Sequence, residues 1–127
     1  MTLPPRVSPQ MLQWFGVFGA PFAWASQHVA GFALSLAACD PAGRTWHVPV
    51  DTATTVISIV AAAVAVAGGA AAVTSWVQTR GAEEDGPPPD GRRHFLALVG
   101  IAITPLFVAM ILMSGGGVLD LPECRQS

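Results

Sequence analysis

The sequence predicts an all-α membrane protein with three transmembrane helices, and three observations lead to this prediction. Hydrophobic residues make up 52% of the 127 residues and charged residues only 11%, whereas a typical soluble chain carries about 25% charged residues. The charges are confined to short stretches, between which lie three long uncharged runs at 12–38, 52–77 and 95–119. Each run holds about 25 residues, more than the roughly 20 that a helix needs to cross a bilayer.

Small residues recur in the first two runs and indicate close helix packing. In the first run they lie three or four positions apart and so share one helix face: Gly16, Ala20, Ala23, Ser26 and Ala30. The second run is nearly all Ala, Val, Gly and Thr, with Gly68 and Gly69 at its middle. Such faces let helices approach closely in lipid. Three buried helices of a soluble bundle are the alternative, but these need a polar face, which the runs lack.

The third run is bulkier, with Leu106, Phe107 and Ile111 among its apolar side chains. Pro21 in the first run and Pro105 in the third are expected to kink their helices. The run Gly115–Gly117 near the end is expected to fray the third helix.

The distribution of arginine predicts the orientation, because cytoplasmic loops carry an excess of positive residues. With three spans, one side of the membrane holds four arginines, Arg6, Arg80, Arg92 and Arg93, and the other side holds two, Arg44 and Arg125. This bias favours an N-terminus inside and a C-terminus outside. Trp14, Trp46 and Trp76 lie near span ends, where interfacial aromatic residues are common.

The segment 80–94 separates the second and third runs and contains acidic residues and three consecutive prolines. Consecutive prolines favour extended polyproline II structure, so the segment is expected to be an extended, solvated cytoplasmic connection. Binding of a basic partner at its acidic centre is the alternative.

Cys39 and Cys124 follow the first and third runs and therefore lie on the same, outer side, where disulfides are tolerated. A disulfide between them is expected, with free thiols or a metal pair as alternatives. The residues Leu36-Ala37-Ala38-Cys39 also match a lipoprotein cleavage box. The 38 residues before Cys39 exceed the usual length of a signal peptide, which argues against lipidation.

His28 is the one ionisable residue within the three runs, and ionisable residues inside a membrane are functional candidates. A neutral His28 that hydrogen-bonds another helix is the first interpretation, and contact with a partner subunit is the second. Ligation of haem or a pigment is a third, and Met110 lies at a similar depth as a possible second axial ligand. A proton relay is the fourth, although the runs contain no carboxylate to extend it.

The sequence contains no nucleophile elbow, phosphate-binding loop or cluster of metal ligands. We therefore expect no enzymatic activity, no small-molecule substrate and no cofactor of its own. The net charge of −2 provides no basic surface for nucleic acid. The expected partners are membrane lipid and other transmembrane subunits, since a flat sheet of three helices would leave its small-residue faces unfilled.

One segment resembles a known group of proteins. Its residues are Trp14-Phe15-Gly16, Ala20-Pro21, Ala23-Trp24, Gln27-His28, Gly31-Phe32 and Cys39. This pattern resembles small multi-helix membrane proteins encoded beside haem–copper (cytochrome c) oxidase genes in proteobacteria, although Phe32 stands where tyrosine is expected. It covers only about the first 40 residues.

The resemblance implies an accessory role in a respiratory oxidase of the bacterial inner membrane, with haem and copper held by the partner subunits. The leading hypothesis is thus a non-catalytic accessory subunit. A cofactor-binding protein that uses His28 and a transient assembly factor for the oxidase are the alternatives.

Overall fold

The computed structural model of the protein describes residues 7–39, 49–83, 85–120 and Cys124. Within these residues the chain forms three helices and no strand: α1 at Pro9–Ala38, α2 at Val50–Gln78 and α3 at Asp90–Asp120. The prediction of an all-helical fold is therefore confirmed. The helices have 29 to 31 residues and are roughly 45 Å long at 1.5 Å per residue.

Two of the described helices are long and apolar enough to cross a membrane. They are α2 and the part of α3 at Asp90–Gly117, which contain 18-residue stretches with mean hydropathies of 2.4 and 2.6. The helix α1 is not among them, because its glutamines and His28 lower its mean hydropathy. Gln13 and Gln27 are nevertheless buried in the bundle, so these polar side chains of α1 face the other helices.

The helix α1 begins with a side-chain cap. The hydroxyl of Ser8 accepts a hydrogen bond from the backbone N–H of Met11 at 3.2 Å, which satisfies a donor that the first turn leaves without an intrahelical partner. Pro9 follows at the first helical position, where its missing N–H has no cost. The helix therefore starts three residues before the uncharged run predicted for it.

The helix α3 also begins earlier than expected, at Asp90, inside the segment predicted as a connection. Its first turn places the carboxylate of Asp90 3.8 Å from the guanidinium of Arg93, and a negative side chain there is favoured by the helix dipole. The residues before it form turns, and the N–H of Gly86 donates to the carbonyl of Glu83 at 2.9 Å.

The glycines near the end of α3 are helical, so the expectation that they fray the helix was wrong. A Cβ added to Gly115 would lie 2.8 Å from the hydroxyl of Ser58 on α2. The absence of a side chain at this position therefore lets α2 and α3 pack closely.

Each of the three helices packs against both others, so the bundle is triangular and not a flat sheet. The contact between α1 and α2 is the most extensive and that between α1 and α3 the least. The core between them is built mainly from alanine: Ala20, Ala23, Ala61, Ala65 and Ile111. Much of the small-residue surface is thus consumed inside the molecule.

The closest approach of all three helices lies around Gly16, Ala72 and Gly100. A Cβ on Gly100 would lie 2.6 Å from the carbonyl oxygen of Gly16 and 2.9 Å from the Cβ of Ala72. A Cβ on Gly16 would lie 3.0 Å from the Cα of Ala72. Neither glycine can carry a side chain unless the backbones separate.

A disulfide joins Cys39, which follows α1, to Cys124, with a Cα–Cα distance of 5.6 Å. It lies at one end of the bundle, the disulfide end, and the connection between α2 and α3 lies at the opposite end, the loop end. The disulfide therefore links the segments that follow the first and third helices.

Candidate functional site

Three features of the described residues are candidates for a functional site. These are a polar contact at Gln27, a groove between α1 and α2, and a group of arginine and tryptophan residues at the loop end.

Gln27 connects all three helices. Its side-chain Nε2 donates to the hydroxyl of Ser58 on α2 at 2.9 Å and to the backbone carbonyl of Ile111 on α3 at 3.1 Å. Because a carbonyl only accepts hydrogen bonds, the contact with Ile111 determines which way the amide faces. The Oε1 atom is then buried and has no partner among the described residues. Gln27 is 5% exposed, so its amide lies inside the bundle.

His28 links α1 to α3 beside this contact. Its Nδ1 lies 3.0 Å from the carbonyl oxygen of Trp24, and its Nε2 lies 3.4 Å from the hydroxyl of Ser114. Since the carbonyl of Trp24 accepts, we assign the proton to Nδ1, which leaves Nε2 to accept from Ser114. The ring also packs on Trp24, with centroids 4.6 Å apart.

Both ring nitrogens of His28 therefore have protein partners, and a haem or pigment would have to displace Ser114. Met110, the residue considered as a second ligand, is half-buried and precedes Ser114 by one turn of α3, or about 6 Å. Within the residues that the structure describes, no three or more His, Cys, Asp or Glu side chains are grouped to hold a metal ion.

A cavity of about 250 Å³ lies beside His28 and is lined by residues from all three helices: Gln27, His28, Gly31, Phe32, Thr54 and Ser114. Phe32, at the position where the resemblance leads one to expect tyrosine, is 68% exposed. A phenylalanine there presents only an apolar ring to the surroundings.

A longer groove runs between α1 and α2, here called the α1–α2 groove. It has a volume of about 310 Å³, and its lining includes Phe22, Ser26, Ala30, Val56 and Val60. Phe22 is 72% exposed and Val60 56% exposed. The groove is therefore an apolar depression lined both by small residues and by exposed bulky residues.

The small residues of the first two runs divide into two sets. Gly16, Ala20, Ala23 and Gly68 are buried in the bundle, and a Cβ on the half-buried Gly69 would lie 2.7 Å from Thr104. Ser26 is exposed and Ala30 half-buried, both in the α1–α2 groove. Sequence reasoning missed Gly100 and Ser58 and misread Gly115. The signal that points to Gly100 is a single glycine within an otherwise apolar helix.

At the loop end, two arginines lie against two tryptophans. The guanidinium of Arg80 lies 4.7 Å from the ring of Trp76, and that of Arg92 lies 5.9 Å from the ring of Trp14. Both distances fall within the range of cation–π attraction. The ring of His94 stacks on Trp76 with centroids 6.5 Å apart. Trp46, His47, Arg6, Arg44 and Arg125 lie outside the described residues.

No protein-family model, curated protein or solved structure matches this chain.

Proposed function

We propose that this chain crosses the bacterial inner membrane three times, with its N-terminus inside and its C-terminus outside, as a non-catalytic accessory subunit. The partner is a larger energy-transducing membrane complex, a respiratory haem–copper oxidase, whose own subunits hold the haem and copper. The observation that carries the proposal is the α1–α2 groove, in which small residues remain open to the surroundings after the bundle has packed.

Three spans are supported by the surface of α1, although its mean hydropathy is lower than that of the other helices. The residues 9–38 contain no charged side chain, and Phe18, Phe22, Val29 and Phe32 are between 56% and 72% exposed. Large contiguous apolar surfaces of this kind are rare on soluble monomers. In a bilayer these side chains contact acyl chains, while the glutamines of α1 remain inside the bundle.

The orientation is supported by charge at one end and sulfur chemistry at the other. Arg80, Arg92 and Arg93 all lie at the loop end, as the bias toward positive cytoplasmic loops requires. The disulfide lies at the opposite end, and disulfides persist in the oxidising bacterial periplasm and not in the cytosol.

Docking is supported by the shape of the α1–α2 groove. Association of helices in lipid depends on close packing against small residues, and Ser26 and Ala30 provide such a surface between Phe22 and Val60. A bulky side chain from a partner helix fits this depression. The choice of an oxidase as the partner is supported by the resemblance of the first 40 residues.

A cofactor-binding protein is a second candidate, and the exposure of His28 at the surface of α1 is the observation that favours it. Its two hydrogen bonds argue for a structural role. We expect His28→Ala to leave any haem spectrum of the complex unchanged. The loss of a Soret band in that variant would favour the second candidate.

The test is a pull-down of the tagged chain in mild detergent, with absorption spectra and subunit identification by mass spectrometry on the same eluate. The variant Ala30→Phe fills the α1–α2 groove, and Ala33→Phe adds the same ring at an exposed position of α1 that does not line it. We expect the wild type and Ala33→Phe to recover haem-containing oxidase subunits in one-to-one ratio, and Ala30→Phe to lose them.

Two other outcomes would change the conclusion. If the wild-type chain is recovered without other subunits and its eluate shows no haem absorption, the accessory role is contradicted. Recovery only during assembly of the complex, with absence from the mature complex, identifies a transient assembly factor.

A further inference from the structure

A second cavity lies at the loop end, between the start of α1 and the start of α3. It has a volume of about 490 Å³, and its polar lining comes from Ser8, Gln10, Gln13, Trp14, Arg92 and Arg93. The remaining lining residues are three prolines, Pro9, Pro88 and Pro89. We call it the N-terminal pocket.

The charge of the N-terminal pocket favours an anion. Its described lining contains two arginines and no carboxylate. Asp90 lies 3.8 Å from one guanidinium nitrogen of Arg93 and offsets part of this charge, while Arg92 has its guanidinium over the ring of Trp14 at 5.9 Å. The guanidinium fork matches the oxygens of a phosphate group in geometry.

One buried donor at the pocket has no acceptor among the described residues. The Nε of Arg93 is buried and has no partner among the described residues, while its Nη2 donates to the side-chain oxygen of Gln78 at 3.3 Å. A buried donor without a partner is unfavourable, because it has lost its hydrogen bonds to water without a replacement. The first turn of α1 adds the positive end of a helix dipole at the same place.

The neighbourhood of the pocket favours an anion with an apolar body. Trp14 stacks on Phe18 with ring centroids 5.6 Å apart, and Met11 and Phe18 are 66% and 56% exposed on the same helix. Tryptophan at this position is typical of the membrane interface. An acyl chain that leaves the pocket along α1 meets these apolar side chains, whereas free phosphate makes no use of them.

We propose that the N-terminal pocket binds the phosphate of an anionic phospholipid, with Arg92 and Arg93 as its main ligands and Trp14 at the boundary of headgroup and acyl chain. Basic pockets between helices at a cytoplasmic membrane surface recognise anionic lipids in this way. The proposal depends on the membrane insertion of α1 and not on docking to a larger complex.

Native mass spectrometry of the purified chain in detergent tests the proposal, with phosphatidylglycerol and phosphatidylcholine as probes. We expect the wild type to retain one phosphatidylglycerol about tenfold more tightly than phosphatidylcholine. Arg92→Gln and the double variant Arg92→Gln/Arg93→Gln should lose this preference. Arg80→Gln is the matched control, because Arg80 also lies over a tryptophan at the loop end but does not line the pocket.

Arg92 is exposed, so Arg92→Gln should fold normally even if the double variant does not. An equal loss of the lipid preference in Arg80→Gln would overturn the proposal, because it would show that the positive charge of the loop end as a whole attracts the lipid. The absence of any preference in the wild type, or full displacement of the lipid by millimolar inorganic phosphate, would also overturn it. Extraction of the chain from membranes by alkaline carbonate without detergent would contradict membrane insertion, on which both proposals depend. Recovery of the chain without oxidase subunits, but with its preference for phosphatidylglycerol intact, would contradict the accessory role alone.

Discussion

At the scale of single residues, the bundle depends on positions where a side chain is missing. Gly100 is the tightest example between helices among the described residues, because a Cβ there would meet the backbone of Gly16 and the side chain of Ala72. Alanine is normally favoured over glycine in a helix by about 1 kcal/mol. Here the added methyl group must push backbones apart, and overpacking of this kind costs about 1–3 kcal/mol.

Gly100→Ala should therefore lower the thermal unfolding midpoint in detergent, despite its better helix propensity. Gly116→Ala is the control on the same helix, because a Cβ there meets no atom within 4 Å, and it should leave the midpoint unchanged or raise it. A Gly100→Ala protein at least as stable as the wild type would contradict the packing described.

The hydrogen bond between Gln27 and Ser58 leads to a second prediction at the scale of single residues. This bond crosses from α1 to α2, and interhelical hydrogen bonds in membranes contribute about 0.6 kcal/mol on average and at most about 1.7. A double-mutant cycle with Gln27→Leu and Ser58→Ala should give a coupling energy in this range. The hydroxyl of Thr74 bonds within its own helix, so Gln27→Leu and Thr74→Ala should add independently. Equal additivity in both cycles would contradict the hydrogen bond.

At the scale of the helices, the disulfide is the strongest single constraint. It closes a segment with a sequence separation of 85 residues, for which the loop-entropy estimate is about 4–5 kcal/mol. The variant Cys39→Ser/Cys124→Ser should lose stability of that order in unfolding titrations with dodecyl sulfate. Reduced wild type should match the variant. Alkylation of both thiols in unreduced wild type would contradict the disulfide.

The helix boundaries show how much of each element was predictable. The absence of charge is a local property of the chain, so the uncharged runs located all three helices to within a few residues of their ends. The start of α3 was missed because Asp90 and Arg93 also fit a solvated loop, and only the helical turn brings them together. The glycines at 115–117 were misread because Ser58, the residue against which Gly115 packs, lies on another helix.

At the scale of the whole molecule, the triangular arrangement and the polar contacts were beyond prediction. The contact between His28 and Ser114 joins residues 86 positions apart, and a single sequence carries no signal that pairs them. The α1–α2 groove and the N-terminal pocket depend on the same long-range arrangement. The sequence alone predicted His28 as a polar residue of interest but not its partners.

The proposed membrane orientation can be tested on the whole molecule by cysteine labelling. In Cys124→Ser, the freed Cys39 should react with a membrane-impermeant maleimide in intact spheroplasts. A cysteine at Ala82, introduced into a Cys39→Ser/Cys124→Ser background, should react only after permeabilisation, because the proposed orientation places the loop end in the cytoplasm. The reverse pattern would invert the topology. Reaction of both positions in intact spheroplasts would contradict a spanning arrangement.

The connection between α2 and α3 and the disulfide lie at opposite ends of the bundle, and together they make the path from Cys39 to Cys124 a closed covalent ring. A single cut within this ring cannot separate the molecule into two pieces. If a protease site is inserted between Gly81 and Ala82, the cleaved protein should migrate as one species without reductant and as two fragments with it. The first two helices and the third would then remain tethered, so the connection between α2 and α3 is expected to be dispensable for holding the bundle together once the disulfide has formed.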